Sequence, residues 1–129
     1  MSCYWDTLIK KINKKDIELL LDLKVNMIKP KFFAKYLKRK NKLVNTIICN
    51  NNKITEQEQK ENFKHIKEYN IDTVNNGYLC STSDPFLILI ADIFSITINN
   101  YYNNSLIVYK PIAISRYDIS INNDKGHMW

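Results

Sequence analysis

The chain reads as a single α+β domain over residues 1–129, helices first and strands last, with the helices packed on a small, mostly antiparallel sheet. Two observations predict that order. Up to Phe94 the apolar residues recur at helical spacing behind recognisable caps, and beyond it short β-branched and aromatic runs alternate with Asn, Pro and polar residues. A third observation bounds the size. At 129 residues, 45% hydrophobic and 25% charged, the chain can bury one core without disulfide or metal staples, and 2 Gly and 3 Pro exclude a fibrous or collagen-like class.

Trp5, Leu8, Ile9 and Ile12 fall at i, i+3, i+4 and i+7, one stripe of a helix over residues 4–13, and Ser2 stands where a cap is needed. Asp16 is placed to cap a second short helix, with Glu18 in its first turn and Ile17, Leu20 and Leu21 on its apolar side. Pro30 suits the first turn of a third, which gathers Phe33, Tyr36 and Leu37 on one face. Thr55 and Glu58 have capping-box spacing ahead of a fourth helix that buries Phe63 and Ile66. Asp84 and Pro85 open a fifth, whose near-continuous apolar content through Phe94 predicts burial on most sides. Residues 95–99, 106–110, 112–115 and 117–121 read as strands, and the Asn clusters at 50–52, 99–104 and 122–124 as loops or turns.

The net charge of +6 is unevenly spread: residues 1–67 sum to +9 and residues 68–129 to −3. Such asymmetry can mark a basic face for nucleic acid or an acidic partner. The composition has a plainer source, because 17 of the 19 basic residues are Lys, beside 17 Asn and 19 Ile, as AT-rich coding produces. Only Arg39 and Arg116 could supply the guanidinium forks that nucleic-acid readers favour, so nucleic acid is not the expected partner. The longest unbroken apolar run, 86–91, is far short of the roughly 20 residues of a membrane span, and the first residues lack a signal-peptide pattern. A cytoplasmic protein is expected. Cys3, Cys49 and Cys80 are odd in number and widely spaced, against a disulfide framework and against a zinc site completed by His65 and His127. Cys49 and Cys80 read as core or near-core residues and His65 as a helix-surface residue.

Cys3 has the features of a nucleophile. It opens the first helix, where backbone N–H groups and the helix dipole favour a thiolate. His127 follows Gly126 at the edge of the expected sheet and could act as general base and acid for it.

The flanking residues carry a family likeness. Ser2-Cys3-Tyr4-Trp5-Asp6-Thr7 before an amphipathic helix resembles the nucleophile motif of the ovarian tumour (OTU) family of papain-like cysteine proteases. The basic helix with Tyr36 and Leu37, the stretch Gly77-Tyr78-Leu79-Cys80-Ser81-Thr82-Ser83-Asp84-Pro85 before a buried helix containing Ala91 and Phe94, and the strands ending in Gly126-His127-Met128-Trp129 follow that family's order along nearly the whole chain. The resemblance implies a papain-like, OTU-like fold with no cofactor or metal. It also implies a thiol-dependent hydrolase, with Cys3 and His127 as the catalytic pair and ubiquitin or a ubiquitin-like protein as substrate and partner. It places the substrate tail near Ser81 and Thr82. The AT-rich coding suits a viral, intracellular bacterial or protist source. Two features depart from the family. Only Met1 and Ser2 precede Cys3, where the family has an Asp-Gly loop, so a fragment of a longer protein is one expectation. Trp129 stands where the family often has an imidazole-orienting Asp or Asn. The orienting role is left among Asp124, Asn122 and Asn123, with Asp6 a further candidate. Two other functions stay open: an inactive OTU-like binding module, and a nucleic-acid binder using the basic stretch 29–42.

Overall fold

The computed structural model describes residues 3–76, 78, 83–124 and 127–129, His127 by its backbone alone. Helix α1 (Cys3–Lys11) is followed by α2 (Lys14–Leu21) and α3 (Pro30–Arg39), with a short 3-10 turn at Val25–Met27 between the last two. A hairpin of β1 (Ile47–Cys49) and β2 (Asn52–Lys53) leads to α4 (Glu56–Glu68), a 3-10 turn at Ile71–Asn76 and α5 (Pro85–Phe94). Strands β3 (Thr97–Tyr102), β4 (Ser105–Pro111), β5 (Asp118–Asp124) and β6 (His127–Met128) complete the chain.

The strands form one sheet in the order β2-β1-β4-β3-β5-β6, antiparallel throughout except for the parallel β3–β5 pair. The architecture is therefore α+β with a mostly antiparallel sheet, as the sequence predicts. Alternation decides which face is covered. Ile98, Ile107, Tyr109, Ile119 and Ile121 are buried beneath the helices, while Leu106, Lys110, Asp118, Ser120 and Asp124 are exposed on the other face. Helix α5 lies at the centre of the covered face, and eight of its ten residues are buried. Its Asp84 cap accepts from the N–H groups of Phe86 and Leu87, and Pro85 takes the first helical position. The Thr55–Glu58 capping box of α4 forms as expected; Ile66 is buried beneath that helix and Phe63 only half-buried.

Three expectations change. Asp16 does not cap α2; Asn13 does, accepting from Lys15 and Asp16 N–H, and Asp16 turns inward to an ion pair. Residues 112–115 form no strand, and Ile112 and Ile114 stand exposed. Most of the Asn-rich segment 99–104 belongs to β3 rather than to a loop, and residues 122–124 end β5. The true turns are the Asn50-Asn51 and Asn103-Asn104 pairs, all four with left-handed φ of 47° to 69°, which close two-residue hairpins. Ser2 and Cys80 lie outside the described residues.

Candidate functional site

Cys3, Thr7 and Lys11 are spaced by four, so they line one stripe of α1. Two contacts fix where that stripe runs. The Thr7 hydroxyl donates to the Met128 carbonyl at 3.2 Å, and the Lys11 ammonium donates to the Ser120 carbonyl. One step further, the Asn13 N–H donates to the Tyr117 hydroxyl. As the residue number rises along α1, its partners on β5 and β6 move toward the start of β5. Helix α1 thus runs antiparallel to β5, along the free edge of the sheet. Its apolar stripe, Tyr4, Trp5, Leu8 and the following Ile12, faces the core. Cys3, half-buried, stands one turn beyond Thr7, at the end of the sheet where Asp124 and His127 are backbone partners. The side chain of His127 lies outside the described residues, as do Ser81 and Thr82.

The ring of Tyr4, the residue after Cys3, packs on Tyr78 with centroids 4.3 Å apart. The Tyr78 hydroxyl donates to the buried Asp84 carboxylate at 3.2 Å and therefore accepts from Nε2–H of His65 at 3.1 Å. Trp5 sits at the centre of the cluster, edge-on to Tyr4 and Phe86, and its indole N–H donates to the Tyr69 hydroxyl. His65, expected on the helix surface, is exposed there and has this link to Tyr78. The link leaves no mark in the sequence, because residues 65, 78 and 84 share no spacing. The aromatic cluster ties α1 to the start of α5 and to Tyr78.

The three orienting candidates are consecutive on β5 and differ in setting. Asp124 is exposed and is the Cα partner of His127; Asn122 is half-buried and exchanges backbone hydrogen bonds with Trp129; Asn123 is buried and pairs with Met128. Asp6, also weighed for that role, is exposed on α1. The β3–β4 hairpin is joined to this strand by the Asn103 N–H, which donates to the Asn123 carbonyl at 3.0 Å.

Two clefts flank this end of the sheet. One, about 540 Å³, lies between the β1–β2 hairpin, the start of α4 and the β3–β4 hairpin, and includes Cys49, Glu58, Asn62, Ser83 and Tyr102 in its lining. Burial and the Glu58 carboxylate push the Cys49 thiol above its ordinary pKa, with a Ser83 hydrogen bond opposing them. A half-buried thiol held protonated is a poor nucleophile. The other cleft, about 620 Å³, is bounded by Tyr101, Asn103, Asn104, Asn122, Asn123, Asp124 and Trp129.

The chain matches no family model, no curated protein and no solved structure.

The basic stretch 29–42 is largely turned to internal use. Lys31 pairs with Asp72 at 3.0 Å, Lys42 with Asp92 at 2.6 Å, Lys38 donates to the Tyr69 carbonyl, and the Arg39 guanidinium lies 4.7 Å over the Tyr36 ring. Among the described residues no three His, Cys, Asp or Glu side chains gather as metal ligands, and no helix is long and apolar enough to cross a membrane.

Proposed function

We propose that the chain is a thiol-dependent hydrolase of OTU-like, papain-like design that releases ubiquitin or a ubiquitin-like modifier from lysine, with Cys3 as nucleophile and His127 as general base and acid. The observation that carries this reading is the Thr7–Met128 hydrogen bond, which joins the helix that begins at Cys3 to the strand that begins at His127. The antiparallel run of α1 along β5, with Cys3 at the end of the helix nearer β6, supports the pairing. In the reaction the Cys3 thiolate attacks the isopeptide carbonyl and a thioester replaces the C–N bond. The imidazolium of His127 gives its proton to the departing lysine amine. Imidazole next takes a proton from water, whose oxygen attacks the thioester, and carboxylate and thiolate are regenerated. Backbone N–H groups in the first turn of α1 face the developing oxyanion. Asp124, opposite His127 on β5, is the group we assign to orient the ring. The Tyr78 stack on Tyr4, the residue after Cys3, supports Ser81 and Thr82 as contacts for an extended Gly-Gly tail.

A ubiquitin probe with a C-terminal electrophile tests the reading. It is expected to label the wild-type chain and to spare Cys3→Ala, and His127→Ala is expected to slow labelling strongly. Labelling that persists in Cys3→Ala, or none in the wild type at high concentration, overturns it. In the second case the inactive binding module favoured by Trp129 at the orienting position takes its place, and calorimetry with ubiquitin decides whether the partner remains.

A further inference from the structure

The cleft of about 540 Å³ between the β1–β2 hairpin, the start of α4 and the β3–β4 hairpin carries charges of both signs on its walls. Glu58 and Asn62 are four residues apart, so they share one stripe of α4, and both line the cleft. The Thr55 N–H donates to the Glu58 carboxylate at 2.9 Å, which fixes that charge in place and holds its pKa below the usual carboxylate range. Lys53 lines the cleft from β2, and none of the ion pairs among the described residues includes Lys53 or Glu58. The carboxamides of Asn62 and Asn103, on two of the walls, have no hydrogen bond among the described residues. Ile88 of α5 and Ile107 of β4, both buried, form the deep part of the lining.

We infer that this cleft binds a short aliphatic peptide, two or three residues long, as a zwitterion, with its ammonium on Glu58 and its carboxylate on Lys53. Such a peptide carries both charges at pH 7, since an α-amino group titrates at about 7.7–8.0 and an α-carboxyl at about 3.3–3.7. Each end then meets a charge that has no ion-pair partner of its own, and charge-assisted hydrogen bonds of this kind are the strong ones. Between the ends, peptide N–H and C=O groups match the Asn62 and Asn103 carboxamides, which donate and accept alike. The aliphatic side chains leave water against Ile88 and Ile107. The volume lies within the roughly 300–1,000 Å³ of small-ligand clefts. Two extended residues span about 7 Å and three about 10 Å, so a longer chain or a folded partner is not needed to fill it. A phosphate-bearing ligand would bring its anionic groups beside Glu58 with Lys53 as the one cation of the lining to offset them. Ser83, which also lines the cleft, adjoins Ser81 and Thr82 in the sequence, so peptide binding is measured directly rather than through hydrolysis.

The full chain is titrated at pH 7 with the dipeptide leucyl-leucine, followed by calorimetry and by backbone amide NMR. Saturable binding is expected, at least tenfold weaker for the N-acetylated peptide and for the C-amidated one. The largest NMR shifts are expected in residues 49–62 and 102–107, with none in α2. Glu58→Gln keeps an acceptor for the capping box, so α4 is retained. It should weaken the free dipeptide tenfold or more and leave the acetylated peptide unchanged, because that peptide has no ammonium to lose. Lys53→Met should weaken the free dipeptide as much and leave the amidated peptide unchanged. Lys24→Met, outside the cleft, should alter none of these. Far-UV circular dichroism checks that the variants fold, and because the blocked peptides need no variant, they decide alone if one does not. Five outcomes overturn the inference: no saturable binding, blocked peptides bound as tightly as the free one, variants that weaken free and blocked peptides alike, NMR shifts centred outside the cleft, or tighter binding of adenosine or a glucose oligosaccharide.

Discussion

Asp16 on α2 and Arg116, just ahead of β5, meet through two parallel N–H···O bonds of 3.0 Å each, across a separation of 100 residues. The same guanidinium donates to the Phe94 carbonyl at the end of α5, and the Tyr117 hydroxyl donates to Asp16. One carboxylate therefore joins α2, α5 and the entry to β5. A fork-to-fork pair of this kind is directional as well as strong.

Arg116→Met should destabilise the fold and lower the melting temperature, since it strips a charged partner from the Asp16 carboxylate and leaves the Tyr117 hydroxyl bonded to it. The hydrogen bonds from Arg116 hold Asp16 below the usual carboxylate range, against the opposing effect of burial. A lowered folded-state pKa contributes stability above the unfolded value, about 3.9, and loses it as pH falls through the folded value. The gap between wild type and variant should therefore be full at pH 7 and close in acid. Calorimetric melts at both pH values check this; a gap that does not change with pH refutes the pair's role.

Asp84→Ala should be among the most costly single substitutions. The side chain is fully buried, caps Phe86 and Leu87 N–H, and accepts from Tyr78. Loss of the cap alone costs about 1–2 kcal/mol, and the buried N–H groups left behind add to it. Asp84→Asn keeps an acceptor and should recover at least half. Urea denaturation of the two variants measures the difference.

The caps, the apolar stripes and the alternation on β4 and β5 were legible because each is written in local spacing. The fifth helix is the clearest case, since Asp84 and Pro85 sit immediately before the apolar run they start. Asp16 outranks Asn13 as a cap on sequence alone, because an acidic residue three positions into a helix looks like a cap until its own partner, Arg116, is known. The β1–β2 hairpin went unread because its strands are three and two residues long, too short for any period to show. Its Asn50-Asn51 turn was legible as a turn, but not as a hairpin. Residues 112–115 have the β-branched content of a strand, yet they form none among the described residues. At the candidate site the sequence could name Cys3 and His127. It could not supply Thr7, because a threonine on a helix carries no mark of the carbonyl it will reach 121 residues later.

Cys49 offers a contrast with Cys3 that chemistry can read. Burial raises its pKa, so its thiolate fraction at neutral pH is small and its alkylation should be slow. Iodoacetamide at pH 7, followed by peptide mass mapping, should leave Cys49 largely unmodified in the folded chain. Modification should accelerate above pH 9. Glu58→Gln removes the neighbouring negative charge and should raise the neutral-pH rate. Fast modification of Cys49 at pH 7 contradicts the buried setting.

Thr7→Val tests the contact on which the hydrolase reading depends. The two side chains have nearly the same shape, so the change deletes the hydroxyl while leaving α1 packed through Trp5 and Leu8. A lost hydrogen bond of this kind costs about 1 kcal/mol in global stability. The local effect should be larger than that figure suggests, because β6 is two residues long, lies at the sheet edge and pairs on one side only. With its outer carbonyl released, β6 should open more often, and amide hydrogen exchange at Asn122 and Trp129 should quicken while exchange in β3 and β4 does not. If Cys3 and His127 act together, labelling by the ubiquitin probe should slow in step with that opening, whereas alkylation of Cys3 by a small reagent, which needs no strand beside it, should not. Probe labelling at the wild-type rate in a variant whose β6 exchanges fast would separate the strand from the chemistry and remove the main support for the pair.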